Sequence, residues 1–112
     1  MLLRAPAFAA LLLLAAPLSP VDAKPRARVH RVEMQGVVFV PAKLTVRRGD
    51  TVVFDNADLV PHTATAGPEA VAAFDSGILP AGKSFEWKAE KRGAYPYLCK
   101  LHPGMVGSLT VK

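Results

Sequence analysis

The stretch covering residues 93–111 constrains the fold more than any other, because strand-forming runs enclose a compact group of possible metal ligands. It contains the only cysteine of the chain, Cys99, with His102 and Met105 following at intervals of three residues. The flanking runs are rich in β-branched and aromatic residues, which is typical of strands. The stretch therefore predicts a strand, a short loop and a second strand.

The short loop has the chemistry of a tight turn. Pro103 occupies the position at which a β-turn requires φ near −65°, and Gly104 the position at which a type II turn requires a positive φ. Such a turn places the backbones of His102 and Met105 within about 7 Å of each other. With Cys99 at the end of its strand, three side chains can converge on one point.

A thiolate, an imidazole and a thioether form a soft set of metal donors. A second imidazole completes the His2Cys plane with a weak axial methionine that selects copper for one-electron transfer. His62, within Val60-Pro61-His62-Thr63, is the histidine placed to supply it. A structural zinc site is the less favoured alternative, because zinc rarely takes thioether sulfur.

These residues resemble the cupredoxins, the type 1 or blue copper proteins, and within them the amicyanin and plastocyanin-like branch. The resemblance covers about residues 34–112, with its clearest parts at 49–56, 60–62 and 93–99, and the short C-x2-H-x2-M loop is similar to that of amicyanin. It implies one type 1 copper ion held by His62, Cys99, His102 and Met105, and an electron-transport protein rather than an enzyme.

One position departs from the family. Cupredoxins usually carry an asparagine directly after the first ligand histidine, where it ties the ligand loops together, and this chain has Thr63. A hydroxyl can also donate and accept, so the tie is expected in altered form. The resemblance further implies an apolar surface of Pro61, Pro103 and Gly104 around His102, and protonation of His102 in the reduced protein at low pH.

The remaining sequence favours an all-β fold, a Greek-key β-sandwich of the cupredoxin kind. It has no long segment of helical periodicity, and turn signals recur at intervals typical of an antiparallel sandwich. Residues 67–73 are open between a helical turn and plain loop, and residues 91–93 are expected to close a hairpin. Strands are expected near residues 29–34, 37–40, 43–47, 51–55, 74–78 and 85–88 and around Tyr95, with a short segment from His62 to Ala66.

The N-terminal region has the pattern of a secretory signal peptide. Residues 1–4 form a short positive segment, residues 5–16 an apolar run, and residues 21–23 a small-residue cleavage site. The apolar run is too short to span about 30 Å of hydrocarbon, which disfavours a membrane anchor. We expect a signal peptide at 1–23, cleaved after about Ala23, and a monomeric periplasmic cupredoxin domain at 24–112.

The cysteine count and the charge bear on ligands and partners. A single cysteine in an exported protein cannot form an internal disulfide. A buried inert cysteine is the alternative to a ligand, but it leaves the neighbouring donors unexplained.

Residues 24–112 carry 13 basic and 8 acidic side chains, and export argues against nucleic acid as the partner. This excess of positive charge, which includes Lys100, favours an acidic redox partner; the alternative is that it only keeps the surface soluble. The expected partners are redox proteins such as a c-type cytochrome, a dehydrogenase or an oxidase.

Other functional classes remain open. A periplasmic copper carrier or buffer would use the same four ligands without electron transfer. An enzyme based on Asp50, Asp55 and Asp58 is weaker, because those carboxylates lie in turns where aspartate is common. His30 is expected on the solvated surface, and Met34 in a core or surface contact rather than at the metal.

Overall fold

The structure is a computed structural model that describes residues 2–7, 9–11 and 26–112. The predicted cleavage site at residues 21–23 lies outside the described residues. Within the described residues, no helix is long and apolar enough to cross a membrane. Residues 26–112 form eight strands: β1 (Val29–Met34), β2 (Phe39–Val40), β3 (Lys43–Val46), β4 (Thr51–Asn56), β5 (Thr65–Ala66), β6 (Ser84–Lys88), β7 (Gly93–Leu98) and β8 (Val106–Val111).

The strands form two four-stranded sheets, ordered β2-β1-β4-β6 and β3-β8-β7-β5. Most neighbours are antiparallel, whereas β1 pairs with β4 and β3 pairs with β8 in parallel. Between β2 and β7 the chain changes sheet at each connection, so consecutive strands enclose the core from both sides. The predicted all-β sandwich is confirmed.

An aromatic cluster fills the space between the sheets. Phe54 of β4 and Tyr97 of β7 meet edge to face with their ring centroids 5.4 Å apart, and Phe39 meets Tyr97 in the same way at 4.7 Å. Such pairs stabilise by about 0.5–1.5 kcal/mol beyond the area they bury. Met34 is fully buried beside them and belongs to the core, which is one of the two contacts predicted for it.

Three expectations about the fold were wrong. Residues 91–93 do not close a hairpin, because β6 and β7 belong to different sheets. Residues 74–78 do not form a strand, and Asp75 makes one isolated bridge, to Thr65. His30 is not simply solvated, because its Nε2 lies 2.9 Å from a carboxylate oxygen of Asp50.

The structure decides the alternative left open for residues 67–73 and shows the roles of two buried tyrosines. Residues 67–73 contain turns and bends rather than a helix. The hydroxyl of Tyr95 donates to the carbonyl oxygen of Lys91, as in the tyrosine corner of other sandwiches. Tyr97 instead packs in the core, and its hydroxyl has no hydrogen-bond partner among the described residues.

Candidate metal centre

The loop between β7 and β8 has the predicted turn. Gly104 has a φ of 87°, and the Met105 N–H donates to the His102 carbonyl at 3.1 Å. The Cys99 N–H then donates to the Met105 carbonyl at 3.0 Å, which fixes the base of the loop. Because Pro103 and Gly104 supply the backbone angles that this turn needs, the geometry follows from local sequence.

His62 reaches the same place from the connection between β4 and β5. Its N–H donates to the Leu79 carbonyl at 3.1 Å, and the Leu79 N–H donates back at 2.7 Å. The side chain of His62 is fully buried. These two backbone hydrogen bonds to Leu79 therefore hold His62 in place at the end of the sandwich.

His62, Cys99 and His102 lie together as the sequence predicts. The two Nδ1 atoms are 3.2 Å apart, and Cys99 Sγ lies 3.7 Å from Nδ1 of His62 and 3.6 Å from Nδ1 of His102. The point equidistant from these three atoms is about 2.0 Å from each, close to the length of a metal–imidazole bond. One metal ion can therefore contact all three donors without rearrangement of the chain.

The carboxylate of Asp58 selects the tautomer of the His62 ring. An oxygen of Asp58 lies 2.6 Å from Nε2 of His62. An ionised carboxylate can only accept, so Nε2 carries the proton and Nδ1 of the neutral ring presents a lone pair. That lone pair faces Cys99 and His102, which is the state that a metal ligand requires.

Asp58 is itself held by the turn that joins β1 to β2. The N–H groups of Gly36 and Val37 donate to its two oxygens at 2.7 and 3.0 Å. Val37 has a φ of 59°, a left-handed conformation that is rare for a β-branched residue. The bond from Val37, followed by that to His62, outweighs desolvation and lowers the pKa of Asp58.

The role of Asp58 was missed in the sequence, where it was assigned only to a turn. The available signal was its position four residues before a candidate ligand histidine. A carboxylate that holds the second nitrogen of a ligand histidine is a recurring feature of metal sites. Asp50 and Asp55 have no such role at the metal site: Asp50 pairs with His30, and Asp55 pairs with Arg31.

Cys99 is buried, with 3% of its surface exposed. Burial by itself raises the pKa of its thiol. The Thr63 N–H, 3.3 Å from the sulfur, opposes this together with hydrogen bonds from His102 and the backbone of Leu101, so the pKa falls to about 6. In the absence of metal, the thiolate form that binds metals is therefore accessible near neutral pH.

Thr63 provides the expected tie between the two ligand loops, in altered form. Its hydroxyl oxygen accepts from the Lys100 N–H at 2.9 Å and lies 3.0 Å from the hydroxyl oxygen of Thr65. The contact with the sulfur of Cys99 comes from the backbone N–H of Thr63, not from its side chain. Both loops are thus joined next to the donor atoms.

The outer side of the site is apolar and exposed. His102 is half-buried, while Pro61, Pro103 and Gly104 are exposed around it. Leu59 adds a side chain that is 96% exposed. The residues of the predicted apolar surface are therefore exposed, and their arrangement as one surface around His102 stays a prediction.

Two further side chains bear on the site. Lys100 does not contribute a free positive charge, because its ammonium group pairs with the carboxylate of Asp75. Met105 is buried, with 3% of its surface exposed, and its role as axial ligand stays a prediction.

Comparison with known proteins identifies related sequences. The family described as copper binding proteins, plastocyanin/azurin family, matches residues 27–112. Chloroplastic plastocyanin of Pisum sativum is 34% identical over 88 residues, which cover 68% of this chain and 52% of that protein. Amicyanin-alpha of Methylorubrum extorquens is 27% identical over 83 residues, covering 72% of this chain and 70% of that protein. The chain thus spans about half the length of the plastocyanin.

Solved structures show the same architecture. A novel purple cupredoxin from Nitrosopumilus maritimus superimposes with a TM-score of 0.66 and 30% identity, covering 74% of this chain and 99% of the other. The cluster of His62, Cys99 and His102 fits a single type 1 copper site.

Proposed function

Because this chain belongs to the plastocyanin/azurin family of copper-binding proteins, we propose that it carries single electrons between redox proteins through one type 1 copper ion. The observation that carries the proposal is the convergence of one sulfur and two Nδ1 atoms on a point about 2.0 Å from each. When bound there, copper supplies one-electron chemistry by alternating between Cu(II) and Cu(I).

The fourth ligand in this proposal is Met105, whose N–H donates to the carbonyl of His102 across the turn. Two imidazoles, a thiolate and a thioether leave no position for a substrate or water, whereas catalytic metal sites keep one open. We therefore propose an electron carrier and not an enzyme. Relatives named plastocyanin and amicyanin are consistent with this role.

The chain holds the donors in place independently of the metal. Asp58 fixes the ring of His62, and Thr63 joins the two ligand loops through Lys100. Burial of Cys99 and His62 excludes water from the donors. Because these contacts are made by the protein alone, little rearrangement is expected when an electron arrives or leaves.

The apolar surface around His102 is the proposed contact for redox partners. It brings a partner next to the one partly exposed donor of the predicted set. We propose that the protein acts as a monomer and that its partners are proteins such as a c-type cytochrome, a dehydrogenase or an oxidase. Pairing of Lys100 with Asp75 weakens the argument from charge, so the apolar contact is the stronger basis for partner binding.

The proposed location is the periplasm, reached by cleavage of residues 1–23 and release of the domain at 24–112. The supporting observation is the charged, apolar and small-residue order of the N-terminal sequence. Mass spectrometry of the protein recovered from a periplasmic fraction tests this proposal. A protein retaining residues 5–16 would contradict it.

Addition of Cu(II) to the reduced, purified protein tests the site. We expect an intense blue thiolate-to-copper absorption and a narrow parallel hyperfine splitting in electron paramagnetic resonance. Cys99→Ser should abolish both. Met105→Leu should change the spectrum and the reduction potential, whereas Met34→Leu, a matched change in the core, should leave both unaltered.

The competing function is copper carriage or buffering with the same ligands. A fast, reversible couple with tightly retained copper supports electron transfer. A colourless complex, ordinary type 2 splitting, or ready loss of copper to an acceptor would favour the carrier instead. Those outcomes would refute the proposed electron transfer without altering the fold.

A further inference from the structure

A second polar site lies at the other end of the sandwich. A cavity of about 120 Å³ opens where β1 begins and β3 ends, next to the turn before β4. In the parallel pair of β1 and β4, Val29 aligns with Thr51 and Met34 with Asn56. His62 of the donor cluster comes shortly after Asn56, whereas the cavity lies beside the start of β1 and the turn before Thr51. The cavity is therefore at the opposite end of these strands from the donor cluster. Its lining residues are Arg26, Arg28, His30, Thr45, Val46, Arg47 and Asp50.

Asp50 organises this cavity, and both oxygens of its carboxylate already accept hydrogen bonds. Its carboxylate accepts from the N–H groups of Arg28 at 2.9 Å and Arg47 at 3.0 Å, and lies 2.9 Å from Nε2 of His30. The side chain is 6% exposed. Asp50 therefore fixes the backbone of two arginines, one on each side of the opening.

The arginine side chains here are in excess over acceptors. Among residues 26–112, the structure records no hydrogen bond or ion pair from the side chains of Arg26, Arg28 or Arg47. By contrast, Arg31 pairs with Asp55. Three arginines with no recorded side-chain partner thus line a concavity whose single carboxylate already accepts hydrogen bonds at both oxygens.

The size and donors of the cavity indicate its ligand. A volume of 120 Å³ equals about four water molecules at about 30 Å³ each, which is space for one small tetrahedral group. Guanidinium groups bind phosphate and similar oxyanions through paired N–H donors. Thr45, which carries a neutral hydroxyl donor, also lines the cavity.

We propose that this cavity, the arginine cavity, binds a phosphate-type oxyanion, either free or as the head group of a larger molecule. Arg28 and Arg47 are the principal ligands, because their backbones are fixed by Asp50. The site is separate from the copper centre and does not depend on the proposed electron transfer. Anion binding here would leave the donor atoms of Cys99 and His62 unchanged.

The direct test uses copper-loaded protein in its diamagnetic Cu(I) form. Inorganic phosphate is titrated at constant ionic strength, with chloride as the balancing ion, and backbone amide signals are followed by NMR. We expect saturable shifts at Arg28 and Arg47. The double variant R28A/R47A, which keeps both backbone N–H groups, should bind at least tenfold more weakly.

The matched control is R92A, which removes an exposed arginine that does not line the cavity. It should bind phosphate as the unchanged protein does. A second arm measures co-sedimentation with phosphatidylglycerol vesicles against phosphatidylcholine vesicles. Binding to the anionic vesicles alone, lost in R28A/R47A, would identify the head group as the source of the anion.

Absence of saturable shifts together with absence of vesicle binding would overturn the proposal. Equal losses in R28A/R47A and R92A would also overturn it, because general surface charge would then explain the binding. The blue absorption of each variant, recorded after oxidation, confirms that the fold and the copper centre are intact.

Discussion

Asp50 is expected to be a major contributor to stability through its ionised carboxylate. The N–H of Arg28 is the largest cause, and with His30 and Arg47 it outweighs burial and lowers the pKa from 3.8 to about 2. At about 1.36 kcal/mol per pKa unit, this difference corresponds to about 2 kcal/mol of folding free energy. The contribution is complete above pH 4 and is lost as the pH falls through about 2, because the folded pKa is the lower one.

We therefore expect Asp50→Asn to lower the free energy of unfolding by about 2–3 kcal/mol at pH 7. The amide keeps the shape but presents one acceptor oxygen in place of two, so a buried N–H of Arg28 or Arg47 loses its partner. For a domain of this size, the midpoint of thermal unfolding should fall by about 10–20 °C.

The assay is guanidinium unfolding of the reduced, metal-free protein, followed by the fluorescence of Trp87 from pH 7 down to pH 2.5. Omitting copper removes the added stability that a bound metal confers on the folded state. The difference between Asp50→Asn and the unchanged protein should narrow as the pH falls below about 4. A difference under about 0.5 kcal/mol at pH 7, or one independent of pH, would refute this reasoning.

Asp75→Asn is the matched control. Asp75 also pairs with a basic side chain, Lys100, but its side chain is 41% exposed. Exposed ion pairs typically contribute about 0–1 kcal/mol. The control should therefore change stability much less than Asp50→Asn, and a comparable loss would show that burial is not the deciding factor.

Three further changes have defined outcomes. Asp58→Asn should weaken copper binding by about 10–100-fold, since the acceptor that orients His62 is changed; competition with a chelator measures this. Tyr97→Phe should raise the free energy of unfolding by about 1 kcal/mol, because the buried hydroxyl has no recorded partner. Gly107→Ala should cost about 1–3 kcal/mol, because its Cβ would lie 2.3 Å from the ring of Tyr97. Denaturant unfolding measures both.

For each of these three predictions, a specific result would contradict the reasoning. Unchanged copper affinity in Asp58→Asn would mean that backbone pairing with Leu79 alone orients His62. Destabilisation by Tyr97→Phe would reveal an acceptor for the hydroxyl. Unchanged stability in Gly107→Ala would mean that the Tyr97 ring moves aside at no cost.

Local chemistry explains what the sequence predicts well. The turn at His102 and Met105 depends only on Pro103 and Gly104, and the structure has the predicted hydrogen bond and positive φ. Strands such as β4 are visible because apolar and β-branched residues follow one another. The donor cluster could be predicted because three of its four proposed members lie within seven residues.

Long-range pairing explains the failures. A turn signal at residues 91–93 indicates that the chain reverses, but not which sheet the next strand joins. The two N–H groups that donate to Asp58 and the carboxylate that pairs with Lys100 come from segments more than 20 residues away. Asp58 and Asp50 look alike in sequence, since both are turn residues, and only the fold places one of them at His62.

The position of β8 between β3 and β7 has a consequence for the nascent chain. Lys43 of β3 pairs with Ser108 of β8, 65 positions later. At about 5–20 residues per second, synthesis of that interval takes about 3–13 s. During this time Leu44 and Val46 lack the strand that pairs with theirs, so the unfinished polypeptide exposes apolar residues that chaperones can bind.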